Sequence, residues 1–195
     1  NIPDENYLLE VEKICRENDL LLIIDEIQSG MGRTGKMFAY EHYGVKPDIV
    51  TLAKAVANGL PLGVTMCTNQ VAGSVFPGSH GSTFGGNPVS VAAALGVLSL
   101  LSDDVLKNNS DMGEYLKDQL KSLNSKVISD IRGKGLMIGI ELNGQIDVSG
   151  LCSKLLEKGF ITCPAKNNVL RLLPPYIITK NEITAFIKEL ETIIN

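Results

Sequence analysis

Two short apolar runs on either side of a glycine-containing loop constrain the fold of this chain more than any other feature. The first run, at residues 20–24, is followed directly by Asp25 and Glu26, and the second, Ile49–Leu52, is followed closely by Lys54. Continuous apolar runs of this length are typical of parallel strands that are buried on both faces of an α/β sheet. Ligands bind beyond the carboxyl ends of such strands, so the acid and the lysine are candidate functional residues.

Helical periodicity and capping residues predict most of the other elements. Asn87 and Pro88 predict the start of a helix that is apolar almost all round and should therefore be deeply buried. The sequence pattern changes after about residue 125, and a boundary is predicted near residues 101–104, between residues 1–102 and 103–195. Helices are predicted at residues 1–19, 37–43, 89–101, 104–123, 149–158 and 181–194. Further strands are predicted at residues 62–67, 127–131, 136–142, 160–163 and 169–173, and residues 69–75 remain ambiguous.

Charge and cysteine content exclude several classes of function. The formal net charge of −4 comes without a basic tract, so neither nucleic acid nor an acidic membrane is an expected partner. The four cysteines form no CxxC pair, which argues against zinc and thioredoxin-like sites and favours reduced thiols in the cytoplasm. No apolar run reaches the roughly 20 residues of a membrane helix. The first residue is Asn1, so we expect the chain to be a piece of a longer protein.

The acid and the lysine each have a simpler interpretation when taken singly. Asp25 could equally cap the loop that follows it, and a lone lysine such as Lys54 is usually solvated. The loop at residues 78–86 offers backbone amides and the hydroxyls of Ser79, Ser82 and Thr83, and such loops bind phosphate oxygens. A plain glycine-rich turn is the alternative. Together, the lysine and the acid after neighbouring strands are a stronger indication of a site than either alone.

Two arginines and two histidines are the remaining residues considered. Arg171 lies within an apolar predicted strand, where a guanidinium needs a planar anionic partner. That partner is either a substrate carboxylate or a structural ion pair. His42 and His80 are single histidines without a paired cysteine or histidine, so we interpret both as structural and predict no metal site. Arg33 is interpreted as a surface or interface residue.

Three stretches together resemble the class III, pyridoxal-phosphate-dependent aminotransferases. They are LLIIDEIQSGMGRTGKMFAYEHYGVKPDIVTLAKA, GLPLG, and HGSTFGGNP followed by an apolar helix. The later stretches RGKGLMIGIEL and VLRLLPPYIIT are similar to the C-terminal domain of that family. The resemblance implies the fold type I transferase architecture. Residues 1–102 would form the C-terminal part of the α/β large domain that binds the cofactor, and residues 103–195 a small α+β domain.

The resemblance implies a role for each matching residue around pyridoxal 5'-phosphate. Asp25 would bond the pyridine nitrogen and keep it protonated, and Gln28 would lie beside the ring. Lys54 would carry the cofactor as a Schiff base and, once released, move a proton. Thr83 would bind the phosphate across a dimer interface. The other implied contacts are Glu26 and Ile27 to the cofactor and Ser82 and Arg171 to the substrate.

The implied activity is transfer of an amino group from N-acetylornithine, or a similar ω-amino substrate, to 2-oxoglutarate, as in arginine biosynthesis. Ornithine, succinylornithine and 4-aminobutyrate remain open as donors, and a non-catalytic scaffold is the alternative class of function. Many relatives have glycines just after the lysine, where this chain has Ala57 and Asn58. The family's N-terminal half supplies a phosphate loop, a stacking aromatic residue and a second substrate arginine. We expect those parts to lie outside this sequence.

Overall fold

The structure is a computed structural model that describes residues 1–144, 146–166 and 168–194. The chain divides into two compact units. Unit 1 comprises Pro3–Asp103 together with Asn1, and unit 2 comprises Asp104–Asn195 together with Ile2.

Unit 1 is built around a three-stranded sheet with helices before and after it. The strand order is β1-β2-β3, with β1 parallel and β3 antiparallel to the central β2. Its elements in chain order are α1 (Tyr7–Glu17), β1 (Ile23–Asp25), a 3₁₀ helix (Ala39–His42), β2 (Ile49–Leu52), a second 3₁₀ helix (Lys54–Ala57), β3 (Val64–Cys67), α2 (Asn69–Ala72) and α3 (Pro88–Leu100).

A charged cluster fastens α1 to the sheet. Arg16 Nη1 donates to Asp48 Oδ2 at 2.6 Å, and the backbone N–H of Leu22 donates to the same oxygen at 2.8 Å. The two bonds, led by that from Leu22, hold the pKa of the Asp48 carboxyl below its usual value. Asp48 therefore joins the end of α1, the start of β1 and the start of β2. The predicted helix at residues 1–19 is wrong at its beginning, because α1 starts only at Tyr7.

The predicted burial of β1 on both faces is wrong. Leu22, just before the strand, is buried, whereas Ile23 is 58% exposed. The physical reason is that β1 lies at one edge of the sheet, and no described segment of the chain covers its outer face. The position of β2 is predicted residue for residue, and its side chains alternate between half-buried and buried.

Helix α3 begins as predicted but is not buried as predicted. The Asn87 side chain accepts hydrogen bonds from the N–H groups of Val89 and Ser90, and Pro88 occupies the first turn. Only Ser90 and Ala94 are buried, because α3 packs against the 3₁₀ helix Lys54–Ala57 along that narrow side. Large apolar side chains on its other sides are exposed to solvent, and Leu95 is 63% exposed.

Unit 2 is a four-stranded antiparallel sheet packed against helices. The strand order is β4-β5-β7-β6. The elements are α4 (Asp103–Ser122, whose first residue falls in unit 1), β4 (Ile128–Lys134), β5 (Met137–Leu142), α5 (Val148–Glu157), β6 (Cys163–Ala165), β7 (Val169–Leu172) and α6 (Lys180–Ile194). One face of the sheet is apolar and buried: Ile138, Ile140 and Leu142 alternate with half-buried residues along β5.

The strand predicted at residues 160–163 is wrong in its position, since β6 runs from Cys163 to Ala165. Of the apolar residues that suggested the earlier strand, Phe160 packs in the core, where its ring meets that of Phe186 edge-on at 5.5 Å, whereas Ile161 is 89% exposed. Pro164 is tolerated within β6 because β6 lies at the edge of its sheet.

Among the described residues, no single helix is both long enough and apolar enough to cross a membrane. The bent pair α3 and α4 passes that test of length and composition only when the two are taken together.

Candidate functional site

Asp25 is the last residue of β1, and Lys54 lies two residues beyond the neighbouring parallel strand β2. The register pairs Ile23 with Ile49 and Asp25 with Thr51, and Lys54 lies three residues beyond Thr51. Because β1 and β2 run in the same direction, their carboxyl ends lie at the same end of the sheet. The structure therefore brings the predicted acid and the predicted lysine to one end of the sheet of unit 1.

The Asp25 side chain is exposed and bonds locally. Its Oδ1 accepts the backbone N–H of Ile27 at 2.8 Å, which is the loop-capping role considered as the simpler interpretation. A carboxylate has about four lone-pair sites, so one such bond leaves capacity for a ligand. The cap fixes the direction of the carboxylate at the strand end.

Lys54 combines an exposed side chain with an unusual backbone. Its φ is +49°, in the left-handed region that residues other than glycine rarely adopt, and it opens the 3₁₀ helix Lys54–Ala57. Val56 and Ala57 on that helix are buried, and they form part of a small core with Met31, Val50, Leu52 and Ala94. Strained residues of this kind persist where the surroundings fix them, and they concentrate at functional sites.

Glu26 differs sharply from its neighbour Asp25, since it is only 1% exposed. Ser29 Oγ donates to its Oε2 at 2.5 Å and the backbone N–H of Tyr40 donates to its Oε1 at 2.9 Å. Burial raises the pKa of the Glu26 carboxyl above its ordinary value, although these hydrogen bonds oppose the rise. Ile27 and Gln28, the next predicted site residues, are half-buried.

The loop that carries Ser82 and Thr83 lies open to solvent. Ser82 Oγ accepts the backbone N–H of Gly85 at 3.0 Å, so its hydroxyl already closes a turn. Thr83 is exposed. Within the described chain, no hydrogen bond joins either residue to Asp25 or Lys54.

Arg171 lies in unit 2, on β7, between Gly139 of β5 and Cys163 of β6. Its Nε is buried and has no hydrogen-bond partner among the described residues. Among the described residues, no carboxylate lies within 4 Å of its guanidinium, so the structural ion pair considered for it is not observed. A buried donor without a partner is uncommon and is suited to an external acceptor.

His42, which was interpreted from the sequence as a structural residue, contacts Thr34. Its Nε2 lies 3.1 Å from both the backbone oxygen and the Oγ1 of Thr34.

Sequence reasoning did not identify the hydrogen bonds of Glu26 to Ser29 and Tyr40. The alternation of side chains along a strand was the one available indication. Consecutive residues at a strand end face opposite sides, so this rule predicts different surroundings for Asp25 and Glu26.

Comparison with known proteins identifies the family. The family model "Aminotransferase class-III" matches residues 1–194. The acetylornithine aminotransferase of Bacillus subtilis is 45% identical over 193 residues, which are 98% of this chain and 50% of that protein. The ornithine aminotransferase of Staphylococcus carnosus is 45% identical over 185 residues, 94% of this chain and 46% of that protein. The chain thus spans about half the length of these relatives.

A solved structure agrees with the sequence comparison. The acetylornithine aminotransferase of Elizabethkingia anophelis superposes with a TM-score of 0.92 at 34% identity, over 99% of this chain and 52% of that one. The predicted fold class, that of the fold type I transferases, is therefore confirmed. With a family model that matches nearly every residue, and relatives that align along its whole length, the chain belongs to the class III aminotransferases.

Proposed function

We propose that the protein is a pyridoxal-phosphate-dependent aminotransferase that moves an amino group between N-acetylornithine, or a similar ω-amino substrate, and 2-oxoglutarate, as in arginine biosynthesis. The observation that carries the proposal is the placement of Asp25 at the end of β1 and of Lys54 just beyond the adjacent parallel strand β2. The strained backbone at Lys54 supports it. Residues 1–102 are then the C-terminal part of the cofactor-binding large domain, and residues 103–195 the small C-terminal domain.

The available groups fit the cofactor chemically. When bound, pyridoxal phosphate supplies an electron sink for charge that develops on the substrate carbon. Asp25 would hold the cofactor at its ring nitrogen and keep a proton there through its free lone pairs, and Lys54 would hold the aldehyde group. The Lys54 amine would also move a proton to and from the substrate. Ile27 and Gln28 border the ring.

The substrate and phosphate contacts come from more distant segments. Arg171 binds a substrate carboxylate, which satisfies the buried Nε that has no partner within the described chain. Ser82 lies near the substrate. Thr83 binds the cofactor phosphate of a partner subunit, so the active protein is a homodimer. The exposed ring of Phe84, with 82% of its surface accessible, supports an interface at this loop. The free, scattered cysteines support a cytoplasmic location.

A substrate panel tests the function. The protein at its full natural length is assayed for glutamate formation from 2-oxoglutarate with N-acetylornithine, ornithine, succinylornithine or 4-aminobutyrate. We expect the highest kcat/KM with N-acetylornithine. Ornithine is the second candidate, because an ornithine aminotransferase is as similar to this chain as an acetylornithine one. Absence of glutamate with every donor, in a protein that binds the cofactor, would contradict an aminotransferase and favour a scaffold.

A further inference from the structure

Glu26 is the one carboxyl group of the described chain that is fully buried. Asp25, its neighbour, is exposed at the end of the strand, so the two acids face opposite sides of the sheet. Burying a carboxyl group is costly unless hydrogen bonds compensate for lost water. The hydrogen bonds of Glu26 therefore indicate which structural role offsets the cost of burying its carboxyl group.

The first set of contacts closes the turn that contains Gln28. Ser29 Oγ donates to one carboxyl oxygen of Glu26, and the backbone N–H of Gly30 donates to its backbone oxygen at 3.0 Å. Gly30 lies so close that a Cβ there would be 2.9 Å from that same oxygen. Gln28 thus lies inside a turn whose two ends are both held by Glu26.

The second set of contacts holds two other segments to the same point. The backbone N–H of Tyr40 donates to the second carboxyl oxygen at 2.9 Å, which anchors the returning end of the glycine-containing loop. The backbone N–H of Glu26 donates to the backbone oxygen of Thr51 at 2.9 Å, which continues the pairing with β2. Glu26 is consequently bonded to its own turn, to the 3₁₀ helix Ala39–His42 and to the strand that leads to Lys54.

We propose that Glu26 is a positioning residue, which fixes Asp25 and Gln28 toward the cofactor ring without touching the cofactor itself. Asp25 precedes Glu26 directly and accepts the N–H of Ile27, so a shift of the turn moves its carboxylate. The inference rests on the proposed cofactor site. It assigns Glu26 a role different from the direct cofactor contact that the family resemblance implies.

The test compares Glu26→Ala and Glu26→Gln in the protein at its full natural length, with Glu17→Ala as the matched control. Glu17 is an exposed acid of unit 1, at the end of α1, and it takes no part in the contacts described for Glu26. Glutamine at position 26 can still accept from Tyr40 and can donate to Ser29 Oγ. The measurements are the Kd for pyridoxal phosphate, the pH dependence of the visible absorption of the bound cofactor, and hydrogen exchange of peptides covering residues 25–31.

We expect Glu26→Ala to weaken cofactor binding by about tenfold or more, the effect of losing a group that orients a direct contact. Its absorption should shift in the same direction as that of Asp25→Asn, and exchange in residues 25–31 should accelerate. Glu26→Gln and Glu17→Ala should stay within about twofold of the parent protein on all three measurements. If Glu26→Ala does not fold, Ser29→Ala removes one donor to the carboxyl and should give a smaller change in the same direction.

Two results would overturn the proposal. One is unchanged Kd and unchanged exchange in a folded Glu26→Ala protein. The other is an equal loss of binding in Glu26→Gln and Glu26→Ala, which would show that the charge acts directly and not through position. Failure of the proposed function looks different, because Asp25→Asn and Lys54→Ala would then leave cofactor binding unchanged as well.

Discussion

Unit 2 closes its own hydrophobic core, whereas unit 1 does not. In unit 2, a described cluster of fifteen buried residues joins one face of the sheet to helices α4, α5 and α6. The corresponding cluster in unit 1 has six residues, and α3 buries only Ser90 and Ala94. The candidate cofactor residues Asp25 and Lys54 both lie in the less enclosed unit. We therefore expect unit 2 to contribute most of the stability of this chain, whereas the proposed cofactor residues lie in unit 1.

Two mid-helix glycines, one in each unit, should differ strongly in how an added methyl group changes stability. A Cβ on Gly113 of α4 would overlap the backbone oxygen of Gly135, whereas nothing lies within 4 Å of a Cβ on Gly96 of α3. We expect Gly113→Ala to destabilise the chain by about 4 kcal/mol or more, since helix and turn must separate. Gly96→Ala should be neutral or stabilising by up to about 1 kcal/mol, because alanine favours helices. Urea unfolding of the 195-residue chain measures the free energy of unfolding of both variants. Equal losses of stability in the two variants would contradict the difference in packing between the units.

Two leucines test the same contrast through side-chain packing. Leu155 of α5 is fully buried in unit 2, and Leu95 of α3 is exposed in unit 1. Truncating Leu155 to alanine leaves a cavity, with an expected loss of about 2–5 kcal/mol. Leu95→Ala should change the free energy of unfolding by less than about 0.5 kcal/mol. Thermal or urea unfolding of the two variants measures the difference, and a loss above 2 kcal/mol for Leu95→Ala would show that α3 is packed in solution.

The Asp48 cluster predicts a smaller, pH-dependent effect in unit 1. The pKa of Asp48 is lowered in the folded protein, so its contribution is complete above the unfolded pKa of about 4 and is lost as the pH falls below it. Asp48→Ala should cost about 1–2 kcal/mol at pH 7, because it removes hydrogen bonds from Leu22 and Arg16. At pH 3 the difference from the parent chain should shrink. Asp118→Ala, an exposed acid in unit 2, is the control, and a pH-independent loss at Asp48 would refute the account.

Local sequence patterns predicted the elements well where the physics is local. Strand β2 was predicted residue for residue, and the start of α3 was predicted from the cap Asn87 and Pro88. These features depend on apolar runs and capping groups that are visible within a few residues. Two element bounds failed, the start of α1 and the position of β6. The other failures concern burial, as at Ile23 and Leu95, since burial depends on what packs over an element.

In the candidate site, too, local features could be predicted from the sequence and features that depend on distant contacts could not. Placement of Asp25 and Lys54 could be predicted, because both follow apolar runs that pair as parallel strands. The left-handed backbone of Lys54 and the bonds of Glu26 could not be predicted, since they depend on contacts with residues many positions away. The buried Nε of Arg171 is likewise a property of the assembled sheet.

The most direct test of the central claim is to identify the lysine that holds the cofactor. The protein at its full natural length is incubated with pyridoxal phosphate, reduced with borohydride, digested and mapped by mass spectrometry. The account predicts one stoichiometric pyridoxyl adduct, on Lys54, and none in Lys54→Ala. A stoichiometric adduct on a different lysine, with Lys54 unmodified, would contradict it.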